Sequence, residues 1–302
     1  MKVAITGATG LIGTRLAREL KARGDEVTVL TRSPERAEEQ LGVAAVAWDP
    51  GREPAPVAAL AARDAVVHLA GENVAQRWSQ DAKRRIRESR VAGTRNLVAG
   101  LRTAGPRPKV LVSSSAVGFY GPRGEERLDE DTPPGEDFLA GVCVEWERAA
   151  AAATELDVRV VSVRTGVVLD SDGGALKTML PPFKLGVGGP VAGGRQYMPW
   201  IHADDVVGIY LAAIDGHSWS GPVNASAPEP VTNREFSKAL GRALRRPAIA
   251  PVPGAALRLR YGEMAEIVTE GQRAVPRRAL ELGYAFRHPD LDEALASALA
   301  AG

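Results

Sequence analysis

The residues whose types and spacing carry the clearest chemistry are three glycines, Gly7, Gly10 and Gly13, in the run TGATGLIG. They follow a short apolar run, Val3–Thr6, and open a helix-patterned stretch, the context in which a glycine pattern acquires a mechanism. The first glycine permits a tight turn, the second lets a pyrophosphate approach the backbone, and the third lets helix pack closely on strand. Thr9, Leu11 and Ile12 complete this loop, and the start of the helix offers free N–H groups and partial positive charge to phosphates. The next apolar run ends in Val29-Leu30-Thr31-Arg32. Dinucleotide sites that read an unphosphorylated ribose place an acidic residue there. Thr31 and Arg32 offer a hydroxyl and a planar cationic fork, which complement a 2′-phosphate. The expected cofactor is therefore NADP(H).

Other chemically capable residues have weaker contexts. Cys143 is the only cysteine, which excludes an internal disulfide framework and a multi-cysteine metal site. With Glu145 and Glu147 nearby and no evident cation to stabilise a thiolate, it reads as a core residue. His202 with Asp204-Asp205 could belong to a metal site or triad, but the aspartates read better as caps at a helix start, and no metal is expected.

These groups must be positioned by β-α-β units. Apolar runs at Val3–Thr6, Glu26–Leu30, Ala44–Trp48, Ala65–Leu69, Lys109–Ser113 and Arg159–Arg164 are bounded by charged or turn residues and alternate with helix-patterned stretches. The longest helix is expected over Gln80 to Ala104, where Ile86, Val91, Leu97, Val98 and Leu101 recur near helical spacing, and a second over Val142 to Glu155. Ser113, Ser114 and Ser115 end the fifth strand, where the ligand crevice of an open α/β sheet lies. Beyond Thr165 glycines crowd the chain at 186, 188, 189, 193 and 194, and the alternation weakens. Helices are expected over Arg234–Leu244 and Leu291–Ala300, with an extended segment over Pro247–Pro253. The fold class read from this pattern is α/β: a Rossmann-type doubly wound parallel sheet with a smaller interleaved C-terminal α+β lobe. Residues 1–165 form the NADP(H)-binding domain, and residues 166–302 form a substrate-side lobe that partly returns to the sheet, in particular through Ile201–Ile214.

Composition limits the function classes. The 302 residues carry 38 Lys plus Arg against 37 Asp plus Glu, so no overall field draws the chain to nucleic acid or an anionic membrane. No apolar run reaches membrane-spanning length, and the start MKVAITGATG lacks a signal pattern. A cytoplasmic location is the resulting expectation.

With TGATGLIG, HLAG at His68–Gly71, SSSAVGFYG at Ser113–Gly121 and WIHADD at Trp200–Asp205, the chain resembles the extended short-chain dehydrogenase/reductases. AGENVAQRW at Ala70–Trp78, RTGVVL at Arg164–Leu169 and EGQRAVPRRALELGY at Glu270–Tyr284 narrow the likeness to the NAD-dependent epimerase/dehydratase-like proteins. The resemblance implies that Leu69, Ala70 and Gly71 line the cofactor, that Glu72, Arg77 and Ser113 lie near it, and that Ser115 is the catalytic hydroxyl. It also implies a possible homodimer through the long helices.

The likeness breaks at the reacting centre. The family's hydride chemistry rests on a Tyr and a Lys four residues apart, and Leu139 and Cys143 stand there; Arg90 replaces the usual Asn. Tyr120 is the nearest remaining phenol, placed to bond a substrate hydroxyl or to pack. Met198 stands where nucleotide-sugar enzymes carry an Arg, with Arg195 three residues earlier. Met179, Phe183, Tyr197, Met198 and Trp200 form either an apolar substrate wall or core. Two readings follow. One is an NADP(H)-binding epimerase- or oxidoreductase-like protein that acts on a small carbonyl or hydroxyl compound through Ser115 with Tyr120. The alternative is a catalytically silent NADP(H)-binding redox sensor or interaction protein.

Overall fold

The computed structural model describes residues 1–300. Seven strands, β1 (Lys2–Thr6), β2 (Glu26–Thr31), β3 (Ala44–Ala47), β4 (Ala65–His68), β5 (Val110–Ala116), β6 (Arg159–Thr165) and β7 (Gly221–Ala225), form one sheet. Its order is β7-β6-β5-β4-β1-β2-β3, and every neighbouring pair is parallel. The central strands are apolar on both faces because helices cover both, as a parallel sheet requires: all four residues of β4 and Val3–Thr6 of β1 are buried.

The longer helices are α1 (Leu11–Ala22), α2 (Pro34–Leu41), α3 (Gln80–Thr103), α4 (Phe138–Ala151), α5 (Gly174–Lys184), α6 (Ala203–Asp215), α7 (Asn233–Leu244), α8 (Gly254–Tyr261) and α9 (Leu291–Ala300). Leu16 and Leu20 of α1, Ala37 and Leu41 of α2, and Val206, Ile209 and Tyr210 of α6 pack one sheet face. Leu97, Val98 and Leu101 of α3 and Ala150 of α4 pack the other. A third cluster, with Leu176, Phe183, Trp200, Phe236, Leu240 and Leu295, forms the core of the C-terminal elements. None of the helices described is long and apolar enough to cross a membrane.

Two elements differ from the sequence reading. Helix α4 starts at Phe138, four residues before Val142, because the Asp137 side chain caps it by accepting the Ala140 N–H at 3.0 Å. The stretch Ile201–Ile214 returns to the sheet, as expected, but through a helix packed on one sheet face rather than through a strand of it. Trp200–His202 pairs with Val167–Leu169 in a separate two-stranded sheet, residues 203–215 form α6, and β7 is the segment that joins β6 at the sheet edge. The apolar residues of 203–214 recur at helical spacing, so they bury against a sheet face rather than along an edge.

Close packing of α1 on β1 makes Gly13 obligatory. A Cβ there would stand 2.4 Å from the Gly7 carbonyl oxygen, whereas a Cβ on Gly141 of α4 would meet nothing within 4 Å. Both glycines are helical, so helix propensity alone favours alanine at each. We expect Gly141→Ala to stabilise the fold by about 0.5–1 kcal/mol and Gly13→Ala to destabilise it by about 1–3 kcal/mol. Urea denaturation of the two variants, run side by side, checks this reversal of sign.

Candidate functional site

The sheet order reverses between β1 and β4, and the two strand ends meet there. Gly7 has φ +69°, and a Cβ on it would lie 2.6 Å from the carbonyl carbon of Leu69 and 2.7 Å from the Ala70 nitrogen. The loop leaving β1 and the segment leaving β4 therefore form two walls of one crevice, with Thr9, Gly10 and Gly71 exposed along it. Gly10 is the N-cap of α1 and brings no side chain to the first helical N–H groups, and a Cβ on it would meet only the Gly7 oxygen, at 3.4 Å. Space and donors for phosphate oxygens are thus both present. Leu11 packs its side chain toward the Gly173-Gly174 turn, and Ile12 packs on the sheet core. At the end of β2 the Thr31 hydroxyl accepts the Ser33 N–H at 3.2 Å. Arg32 is exposed beside it and makes no ion pair or hydrogen bond among the described residues.

Behind the crevice runs a chain of hydrogen bonds. The Ala70 N–H donates to Thr6 Oγ1 (3.3 Å), Thr6 Oγ1 pairs with His68 Nδ1 (2.7 Å), His68 Nε2 pairs with Thr94 Oγ1 (3.0 Å), and that hydroxyl donates to the Arg90 carbonyl (2.6 Å). Because the Thr94 proton goes to Arg90, the Thr94 oxygen accepts from His68, which assigns the imidazole proton to Nε2 and leaves Nδ1 to accept from Thr6. The ring is fully buried, and burial pushes its pKa down to about 4.

The C-terminal end of β5 holds a second network. Ser115 donates to Glu147 Oε1 at 2.6 Å. Arg164 grips the same carboxylate at both oxygens, 2.8 and 2.9 Å, and donates to the Tyr120 hydroxyl at 3.0 Å. Tyr120 donates in turn to Asn224 Oδ1 at 2.7 Å. Ser115 is only 3% exposed and Tyr120 is fully buried. Burial pushes the Tyr120 phenol up to about 12. Cys143 lies beside Ser115, and burial, then the Glu147 charge, push its thiol up to about 12 as well, which keeps it neutral and unreactive. Leu139 packs over Gly118. The Ser115 hydroxyl commits its proton to a carboxylate that Arg164 holds, and its oxygen keeps lone pairs with which it can accept a hydrogen bond.

The remaining residues expected at the site divide. Ser113 is buried and turns its hydroxyl to the Ser114 carbonyl at 3.3 Å, while Ser114 bonds the Tyr210 hydroxyl at 2.6 Å on the opposite sheet face. Glu72 accepts from Gln76 at 3.1 Å. Arg77 donates to the carbonyls of Leu259 (3.1 Å) and Arg260 (3.5 Å), so it ties the loop after β4 to the end of α8. Phe183, Met198 and Trp200 are buried in the C-terminal core with Met179 packed on them, and Tyr197 lies under Arg273 with its guanidinium carbon 4.9 Å from the ring centre. His202 Nδ1 accepts the Asp204 N–H at 3.1 Å as the cap of α6, and Asp205 accepts from the Arg287 and His288 N–H groups at 2.7 and 3.0 Å.

A family model described as the NAD dependent epimerase/dehydratase family matches residues 3–224. The chain belongs to this family. A second model, a domain of unknown function named DUF1731, matches residues 252–298. Among relatives, the epimerase family protein SDR39U1 homolog, chloroplastic, of Arabidopsis thaliana is 42% identical over 98% of this chain and 86% of its own length. The human epimerase family protein SDR39U1 is 38% identical over 98% of each chain. A crystal structure of human SDR39U1 (isoform 2) with NADPH superposes with a TM-score of 0.88 at 36% identity, over 99% of both chains. Family membership and the doubly wound fold thus agree with the motif reading.

Sequence reasoning assigned no role to His68, Glu147, Arg164 or Asn224. Arg164 left a signal: a charged residue inside the otherwise apolar strand run is buried only with a partner. His68 generates a pH dependence. Its pKa of about 4 in the fold returns to about 6.5 on unfolding, so between these values the unfolded chain binds a proton that the folded chain refuses. Its contribution is complete above about pH 6.5 and is lost as pH falls toward about 4, by up to about 1.4 kcal/mol per pH unit. We expect the wild type to lose more stability between pH 7.5 and 4.5 than His68→Gln, as read from urea midpoints at the two pH values.

Proposed function

We propose that this chain binds NADP(H) in the switch-point crevice and acts, through the Ser115 hydroxyl, on a small carbonyl or hydroxyl compound. The observation that carries the cofactor reading is the open glycine cradle at the uncapped start of α1, with exposed Arg32 at the end of β2. The loop amides would hold the pyrophosphate, and Thr31 with Arg32 the 2′-phosphate. The NADPH in the human relative's structure supports the same choice. When bound, this cofactor supplies hydride exchange with a carbon that bears oxygen.

The protein's own part is proton handling and exclusion of water. A substrate hydroxyl donating to Ser115 Oγ would be linked to Glu147 by two coupled transfers, its proton passing to Ser115 as the serine proton passes to the carboxylate that Arg164 holds by two bonds. Tyr120 serves this relay by fixing Arg164 from below and does not face substrate. The second reading, a silent NADP(H)-binding sensor or interaction protein, is favoured by one specific observation. No phenol or ammonium stands at positions 139 and 143, and Cys143 is neutral.

Titration with NADPH and NADH separates the cofactor claims. Arg32→Ala is expected to weaken NADPH binding by on the order of tenfold or more and to change NADH binding by less than about twofold; equal losses would reject the assignment. For turnover, NADPH oxidation is screened with small carbonyl compounds, and Ser115→Ala is expected to lower kcat of any reaction found by on the order of a hundredfold. An unchanged rate would remove Ser115 from the mechanism, and no turnover across the screen would favour the silent reading.

A further inference from the structure

Arg90 is a guanidinium without a counter-ion at the wall of the crevice. It leaves α3 and lies against Gly71, where a Cβ would stand 3.2 Å from its Cζ and 3.4 Å from each terminal nitrogen. Its flat face covers the Trp146 ring of α4, 5.1 Å from the centroid. Only Nη1 is engaged, donating to the carbonyls of Glu72 at 3.0 Å and Ile86 at 3.2 Å. A guanidinium has five N–H groups, so three remain without a partner among the described residues.

No carboxylate forms an ion pair with it, and the Glu72 charge acts on it only from a distance. The Glu72 carboxylate is turned to Gln76 at 3.1 Å and toward Arg85 at 3.7 Å, and Cys143 is neutral. Burial holds the Arg90 pKa below its ordinary value, the direction expected of a cation with too few partners. Trp146, 5% exposed, carries its own Nε1–H without a partner, so donors exceed acceptors around this point. Arg90 is half-buried, and its free N–H groups face the crevice side with no protein acceptor, whereas the buried Arg164 is paired with Glu147. A ligand atom that displaces water from these N–H groups would be matched best by an oxygen carrying negative charge.

We infer that Arg90 is the receptor for an anionic oxygen of the ligand in this crevice, the oxygen belonging either to the dinucleotide or to a carboxylate on the substrate. The inference rests on the crevice being the binding site proposed above. A dinucleotide source makes Arg90 a cofactor-binding residue; a carboxylate source narrows the substrate class to small carboxylic acids that carry a carbonyl or hydroxyl. In either case the rigid fork, more than the charge, is what the site uses.

The test uses the full chain as wild type, Arg90→Met and Arg90→Lys. NADPH is titrated by its own fluorescence. Acetate and benzoate are titrated by tryptophan fluorescence, to which Trp146 contributes, with NADP⁺ saturating and again without dinucleotide. Arg90→Met is expected to bind on the order of tenfold more weakly, or worse, in one of the two arms, with Arg90→Lys between it and wild type. Loss in the NADPH arm assigns the oxygen to the dinucleotide; loss in the carboxylate arm assigns it to substrate. Unchanged binding in both arms, by a variant with wild-type circular dichroism and Tm, overturns the inference. If Arg90→Met does not fold, the Arg90 Nε–H resonance of the wild-type protein decides: it shifts on addition of NADPH or of carboxylate if the inference holds, and stays in place with both if it does not. A wild type that binds no NADPH defeats the dinucleotide reading, while the carboxylate arm without dinucleotide still judges Arg90 separately.

Discussion

The site depends on the contact between the ends of β1 and β4. Two parallel strands that diverge in their connections leave a gap at the switch point, and here the gap is bounded by Gly7 pressed against the Leu69–Ala70 peptide. Nothing larger than a hydrogen fits on Gly7, so the phosphate loop and the wall opposite it are set by one approach of backbone to backbone. The His68 chain fixes this approach from behind. Thr6 ends β1, His68 ends β4, and Thr94 belongs to α3, so one neutral imidazole joins three elements and holds the Ala70 N–H at one end and the Arg90 carbonyl at the other. A charged imidazole would need an acceptor at Nδ1 where Thr6 now donates, which is why burial and hydrogen bonding both favour the neutral ring.

The phosphate loop was legible in sequence because its chemistry is local. Turn, close approach and helix start all fall within TGATGLIG, and the strand and helix around it have short periods. The placement of Thr31-Arg32 at a strand end was readable for the same reason, since it depends only on neighbouring residues. The Glu147–Arg164 pair joins two elements 17 positions apart, and Tyr120 meets Asn224 across 104 positions, so only folding brings these partners together. Arg90 was visible as a replacement for asparagine, but its lack of a counter-ion depends on where Glu72 and Cys143 turn. The early start of α4 was readable in principle: Asp137 has the side chain of an N-cap three residues before Ala140, and the apolar pattern from Val142 concealed it.

The second network explains how the ends of β5 and β6 remain ordered around a buried charge. Arg164 is buried at the end of β6, its guanidinium carbon 3.4 Å from the Phe119 ring centre, and Glu147 supplies the carboxylate that makes this burial tolerable. Bidentate geometry and the additional bonds to Tyr120 and the Glu130 carbonyl meet the conditions under which a buried ion pair can offset its desolvation. The same pair leaves Ser115 with a fixed acceptor for its proton, so a structural solution at positions 147 and 164 also defines the chemistry available at position 115.

The network continues into the C-terminal elements and couples them to the sheet. Asn224 of β7 donates to the Val275 carbonyl at 2.9 Å, while the buried Glu130 carboxylate accepts the N–H groups of Asn224 at 2.9 Å and of Arg278 at 3.2 Å. Arg77 makes a parallel tie from the loop after β4 to α8. Segment 273–278 is therefore joined to the β7 edge of the sheet, and segment 254–261 to the crevice wall after β4, by directed polar bonds. These bonds differ in strength: the ties through Glu130 and Asn224 are buried, and that of Arg77 is exposed and so competes with water.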